Sequence, residues 1–195
     1  VSGGYMNQEG TIKGTNFERY SLRANIDAEL KKWLKMGVNV AYSNTREDLK
    51  KADQEEGLIM YSLITPPDIQ IYNIDGSFSS VSKEGFSNPN PVALAEMNQY
   101  KLARQKLNGN LFFDVTFFQL PTHSQSLIWH TELGWDLGWN KAETFEPTYS
   151  FGTSSKDKNE SSIQKNSSTY WSVKNYLTYA GHFGKHSLTA MIGQE

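Results

Sequence analysis

The side chains best equipped for chemistry in this 195-residue chain are its four histidines and the acids near them. His182 and His186 have the H-x-x-x-H spacing that, on a helix, would aim two imidazoles at one metal ion. Gly181 and Gly184 interrupt the pair and no carboxylate lies close in sequence, so the stretch reads as a surface turn. His130 falls on the polar parity of its segment beside Glu132, where a hydrogen-bonded histidine on a wet face is the simpler account. Glu132 and Asp136 share that parity and could serve as paired acids for glycoside hydrolysis. Four residues along a strand separate them by about 13 Å, beyond the roughly 5–9.5 Å such pairs use. The sequence contains no nucleotide-binding glycine loop and no nucleophile elbow. It also lacks cysteine, which removes disulfides, thiolate metal sites and cysteine nucleophiles. A net charge of −2 creates no overall field for nucleic acid or an anionic surface. The expectation is therefore a protein that is not an enzyme, with no cofactor, no metal and no nucleic-acid partner.

The elements that carry these residues are strands. From Phe17 to Leu30, Tyr20, Leu22, Ala24, Ile26, Ala28 and Leu30 occupy one parity, and Arg19, Ser21, Arg23, Asn25, Asp27 and Glu29 the other. After Lys31-Lys32 the pattern resumes with Leu34, Met36, Val38, Val40 and Tyr42, so a hairpin of two long strands is predicted. Alternation returns over Leu107 to Phe117, with Phe112 and Phe118 spoiling the polar side. It continues over Leu127 to Trp139 and Trp171 to Tyr179, and a last strand begins near Leu188. With a weak strand at Val1 to Glu9, about seven strands are predicted, matching in length the roughly 9–11 tilted residues that cross a bilayer as β-structure.

Two stretches break the pattern. Residues 45–100 carry Pro66-Pro67, Asp75-Gly76 and Asn88-Pro89-Asn90-Pro91, with short helices expected near Glu47 to Glu56 and Val92 to Gln99. Residues 141–168 are rich in Ser, Thr, Lys, Asn and Glu. Connections alternate between short turns and longer loops, so in an up-and-down meander the long ones share one rim. On the apolar parity that rim presents Tyr20, Tyr42, Trp139 and Trp171, and the opposite rim Phe117, Trp129 and Tyr179. Amphipathic rings at both ends of an apolar band are what a bilayer interface selects. Arg19, Arg23, Asp27, Glu132, Asp136 and Lys174 would then line a polar lumen. Pattern alone leaves a second architecture open, a soluble β-sandwich binding carbohydrate through Trp135, Trp139, Tyr149 and Phe151.

The wording GYMNQEGTIKGTNFERYSLRANIDAELKKWLKMGVNVAYS, followed by TPPDIQIYNIDGSF, NPNP, LNGNLFFDVTFF and HSLTAMIGQE, resembles the SusC/RagA family of TonB-linked outer-membrane transporters of Bacteroidetes. The likeness runs in order from about Gly3 to Glu195 and rests on strand and turn words. It implies an all-β fold: an antiparallel meander forming part of a plugged transmembrane barrel of about 22 strands. Residues 45–100 and 141–168 would be long extracellular loops, and the plug domain and signal peptide would lie outside this stretch. Further implications are residence in the cell outer membrane, a SusD-like surface lipoprotein partner and contact with membrane lipid. Coupling to the TonB complex would run through the plug, and the cargo would be oligosaccharide or peptide.

Overall fold

The computed structural model describes residues 1–50, 57–83, 86–120, 125–151 and 154–195. In chain order the elements are β1 (Ser2–Glu9), β2 (Asn16–Lys31), β3 (Leu34–Leu49), α1 (Leu58–Ile64), β4 (Val81–Lys83), β5 (Phe86–Asn88) and α2 (Pro91–Met97). They continue with β6 (Gln99–Leu120), β7 (Gln125–Glu146), β8 (Tyr149–Phe151), β9 (Ser154–Lys156), β10 (Glu160–Phe183) and β11 (His186–Gln194). The seven long strands make one antiparallel sheet in the order β1-β2-β3-β6-β7-β10-β11, each paired with its neighbour along the meander. The short pairs β4-β5 and β8-β9 are separate ribbons within the two long connections.

Directly opposed residues of antiparallel strands share a face, so the ladder can be read in rows. One row is Ile26, Val38, Leu111, Leu133 and Val173; the same-face rows beside it are Ala24, Val40, Gly109, Trp135, Trp171 and Leu22, Tyr42, Leu107, Leu137. Nearer the short turns comes Leu34, Val115, Trp129, Leu177 and Ile192. Between them, on the other face, lie Asn25, Asn39, Asn110, Gly134, Ser172 and Asp27, Gly37, Phe112, Glu132, Lys174. One face is greasy across every central strand and the other is polar.

Among the described residues, no second layer covers the greasy face. The buried hydrophobic residues among those described are Ala93 and Ala95, both in α2, while Leu22 and Ile26 are each 54% exposed and Leu133 is 44% exposed. An apolar side chain left in water forfeits about 1.5–3 kcal/mol that burial would supply. No second sheet packs on these strands among the described residues, so the sandwich expectation is not met.

Several expectations need correction. β6, β7 and β10 run 22, 22 and 24 residues, far beyond their alternating stretches. Residues 141–146 and 160–168 pair in the ladder, so the second excursion is confined to 147–159. Glu47 to Leu49 belong to β3 rather than to a helix, and 51–56 lie outside the described residues. The first helix is instead Leu58–Ile64; the second forms with Pro91 at its start, as expected. A register shift between Thr116 and Phe118 sets Phe118 opposite Leu127, on the apolar side. An inserted residue reverses parity beyond a bulge, so Phe118 does not spoil the polar face. The turn expected near Pro121 lies at 121–124, outside the described residues.

Candidate functional site

The polar face is held by side-chain ladders. Asn39 Nδ2 donates to Asn110 Oδ1 at 2.8 Å, and Asn110 Nδ2 donates to Glu132 Oε2 at 2.7 Å. His130 Nδ1 lies 2.6 Å from Asp114 Oδ1, and its ring stacks between Phe112 and Tyr176 at centroid distances of 5.6 and 5.4 Å. Phe112 is tolerated here because Gly37, its row neighbour, leaves room for the ring: a Cβ on Gly37 would strike it. Asp136 pairs with Lys106 at 2.9 Å and Lys174 with Glu195 at 3.5 Å. A trough of about 390 Å³ on this face is lined by Arg19, Arg23, Lys106 and Asn108, among others.

At the long-connection rim the excursions gather over residues of the polar parity. Tyr100 donates to Glu146, and Lys156 of β9 pairs with Glu146 and, at 2.9 Å, with Glu160. Glu146 and Glu160 oppose each other directly, so Lys156 neutralises a like-charged pair. Burial works against the charge on Lys156, but the two carboxylates outweigh it and raise its pKa. Lys50 donates to Asn98 O at 2.7 Å, and burial lowers its pKa. With Tyr61 and Tyr149, these groups line a cleft of about 180 Å³. Asn90 is 1% exposed; it caps α2 by accepting from the Val92 and Ala93 amides and donates to Ile71 O and Ser79 O. Lys13 pairs with Glu96, holding that carboxyl below its usual range, and Tyr72 adds a hydrogen bond at 3.2 Å.

Catalytic geometry is not assembled among the described residues. His182 faces Ser187 and His186 faces Phe183 in adjacent rows, which puts the two imidazoles on opposite faces of their hairpin. No group of three or more His, Asp or Glu able to hold a metal occurs among the described residues. Glu132 and Asp136 are each taken up by their own polar partner. The arrangement presents surfaces: an uncovered apolar face, a laddered polar face and a rim.

Comparison with known proteins identifies that arrangement. No family model matches the chain. TonB-dependent receptor P3 of Formosa agariphila is 26% identical over 199 residues, covering 99% of this chain and 19% of the receptor. TonB-dependent receptor P26 of the same organism is 28% identical, covering 97% and 18%. TonB-dependent receptor SusC of Bacteroides thetaiotaomicron is 24% identical, covering 100% and 21%. The chain thus spans about a fifth of the length of these relatives. Two solved structures of the RagAB peptide importer superpose with TM-scores of 0.63 and 0.67 at 20% and 18% identity, covering 97% of this chain and 21% of theirs. Over nearly its whole length the chain is similar to SusC/RagA-type TonB-dependent receptors.

In a SusC/RagA-like wall the expected residues can be located by row. Tyr20 and Trp139 share one row with Asn44 and Gln105, and β1 adds Tyr5, whose ring lies 4.9 Å from that of Tyr20. Tyr42 sits one same-face row further in and Trp171 two, so these four aromatics share a face but not a row. At the other end Trp129 stands one row before Tyr179, and Phe117 is the extra residue of the β6 bulge. Of the six polar residues, Asp27, Glu132 and Lys174 fall in one row, Arg23 and Asp136 in another, and Arg19 in a third. Sequence reading missed Tyr5, whose strand is too rich in glycine to show a period. It also missed Tyr100 and Lys156, which lie where both faces are polar and no alternation marks a strand.

Proposed function

We propose that this chain forms part of the barrel wall of an outer-membrane nutrient importer that works with a SusD-like lipoprotein. The greasy face meets lipid acyl chains, with Tyr20, Tyr42, Trp139 and Trp171 at one interface and Phe117, Trp129 and Tyr179 at the other. The polar face, with Arg19, Arg23, Asp27, Glu132, Asp136 and Lys174, lines the lumen and its plug. The observation that carries the reading is an apolar face continuous across every central strand and left uncovered by the described residues. Strand edges support it: β1 and β11 each pair on one side, and unpaired backbone in hydrocarbon costs several kcal/mol per group, so a spanning wall continues past both. Residues 50–98 and 147–159 then stand at the extracellular mouth, touching lipoprotein or an oligosaccharide or peptide cargo. The plug transmits the TonB-driven step.

Fractionation tests this. The intact receptor is expected in the outer membrane, released by detergent; recovery in a wash without detergent overturns the proposal. Replacing residues 50–98 by a short turn should leave the barrel inserted and abolish uptake, and unchanged growth on the cognate nutrient would count against the assigned mouth.

A further inference from the structure

Above Trp139 the outward face changes character within a single same-face row. The aromatic row of Tyr20, Asn44, Gln105 and Trp139 is followed, toward the long connections, by Glu18, Arg46, Ala103, Lys141 and Lys165. Lys141 and Lys165 are direct cross-strand partners, an arrangement in which like charges repel. Five residues further along β7 the same two strands hold the mirror case, Glu146 opposite Glu160, and there Lys156 sits between the acids. Among the described residues the acid beside the lysines is Glu143, which pairs with Lys141 at 2.5 Å and lies within electrostatic reach of Lys165. Lys165 is exposed and makes no ion pair among the described residues. Between the two lysines opens a cleft of about 300 Å³, lined also by Trp139, Gln105 and Asn166.

We propose that this cleft seats the phosphate-bearing headgroup of a membrane lipid. The inference rests on the wall reading above and adds a specific lipid site to it. Location selects the ligand: interfacial aromatics lie at headgroup level, Trp139 ends the apolar band, and the lysines stand one row outside it. Acyl chains attached to a phosphate held there run down over Leu137, Trp135 and Leu133. Long lysine stems lie along apolar surface while the ammonium reaches the anion, and basic clusters beside a membrane attract anionic headgroups. Net charge hides this, because the row's three cations, Arg46, Lys141 and Lys165, are a small part of a chain with 19 basic and 21 acidic residues.

The test is lipid retention by the full-length receptor in detergent, measured by native mass spectrometry with phosphatidic acid as the phosphate-monoester probe and phosphatidylcholine as the comparison. The wild type is expected to retain phosphatidic acid preferentially. The double variant Lys141→Gln, Lys165→Gln should bind it about thirty-fold more weakly, and Lys158→Gln, in the connection between β9 and β10, should bind as wild type. Millimolar inorganic phosphate should not displace the lipid. Equal binding by the double variant overturns the site, equal loss in Lys158→Gln reduces it to general charge, and displacement by inorganic phosphate refutes the lipid assignment. Heat-shifted gel migration checks that each variant is folded. A receptor recovered without detergent would defeat the wall reading; one that inserts normally but binds lipid equally in all variants would defeat only the headgroup site.

Discussion

The two faces of this sheet differ in how they achieve stability. On the polar face, side chains satisfy one another: Asn39, Asn110 and Glu132 form a hydrogen-bonded run across three strands, and His130 is clasped between two rings and an acid. On the apolar face, Leu22, Ile26, Leu133 and Val173 are exposed, with no second layer over them among the described residues. On the proposed wall reading, the apolar face is completed by lipid, whereas the polar face carries its own partners. A lysine placed at the centre of the apolar rows should therefore be far more costly than one placed on the adjoining polar row. Leu133→Lys is expected to destabilise the inserted receptor by about 2–4 kcal/mol. Ser172→Lys, on the neighbouring polar row, should change it by less than about 0.5 kcal/mol. Denaturant unfolding in lipid reads both, and equal values would erase the distinction between faces.

Glycines sharpen the same comparison. Each face offers a glycine beneath an aromatic ring near its centre, Gly109 under Trp135 on the apolar side and Gly37 under Phe112 on the polar side. A Cβ at Gly109 would strike the backbone oxygen of Asn39 and approach Trp135 Cζ2 to 2.9 Å; at Gly37 it would meet the Phe112 ring and, at 2.6 Å, Asp27 Oδ1. Backbone in a ladder cannot move aside, whereas the exposed carboxylate and the Phe112 ring can turn. Gly109→Ala should cost about 1–3 kcal/mol and Gly37→Ala clearly less, measured by the same unfolding titration. The reverse order would mean that the polar ladder is the stiffer of the two.

Legibility followed alternation. The hairpin from Phe17 to Tyr42 and the stretches Leu107 to Phe117 and Leu127 to Trp139 could be read because apolar side chains fall on one face and polar ones on the other. Where both faces meet water the period vanishes although backbone pairing continues, and so Lys101 to Lys106, Lys141 to Glu146 and Glu160 to Ser168 did not read as strands. The bulge at Phe117 was equally hidden, since one extra residue looks like noise in a period-two pattern. Helix α2 could be read from Pro91, which needs no amide donor at a helix's first position. Cross-strand partners such as Lys141 and Lys165 depend on register over long loops, which no local pattern specifies.

The sheet and its larger excursion make a second contrast, because residues 57–98 have a small buried centre of their own around Ala93, Ala95, Ser79 and Asn90. Asn90 caps α2 through one side-chain atom and ties it to two backbone carbonyls through the other. Asn90→Ala removes the cap and leaves the Ile71 and Ser79 carbonyls without this donor, at an expected cost of about 1–2 kcal/mol. That cost should fall on the excursion alone, since its ties to the rest of the chain include the Lys50–Asn98 hydrogen bond and the Lys13–Glu96 pair rather than a shared apolar core. Hydrogen exchange should therefore quicken across Gln70 to Leu94 while the ladder from Leu107 to Leu120 keeps its protection. If protection fell in both regions together, the excursion and the wall would be one cooperative unit, and the rim would act as a brace on the sheet rather than as a separately folded cover over its mouth.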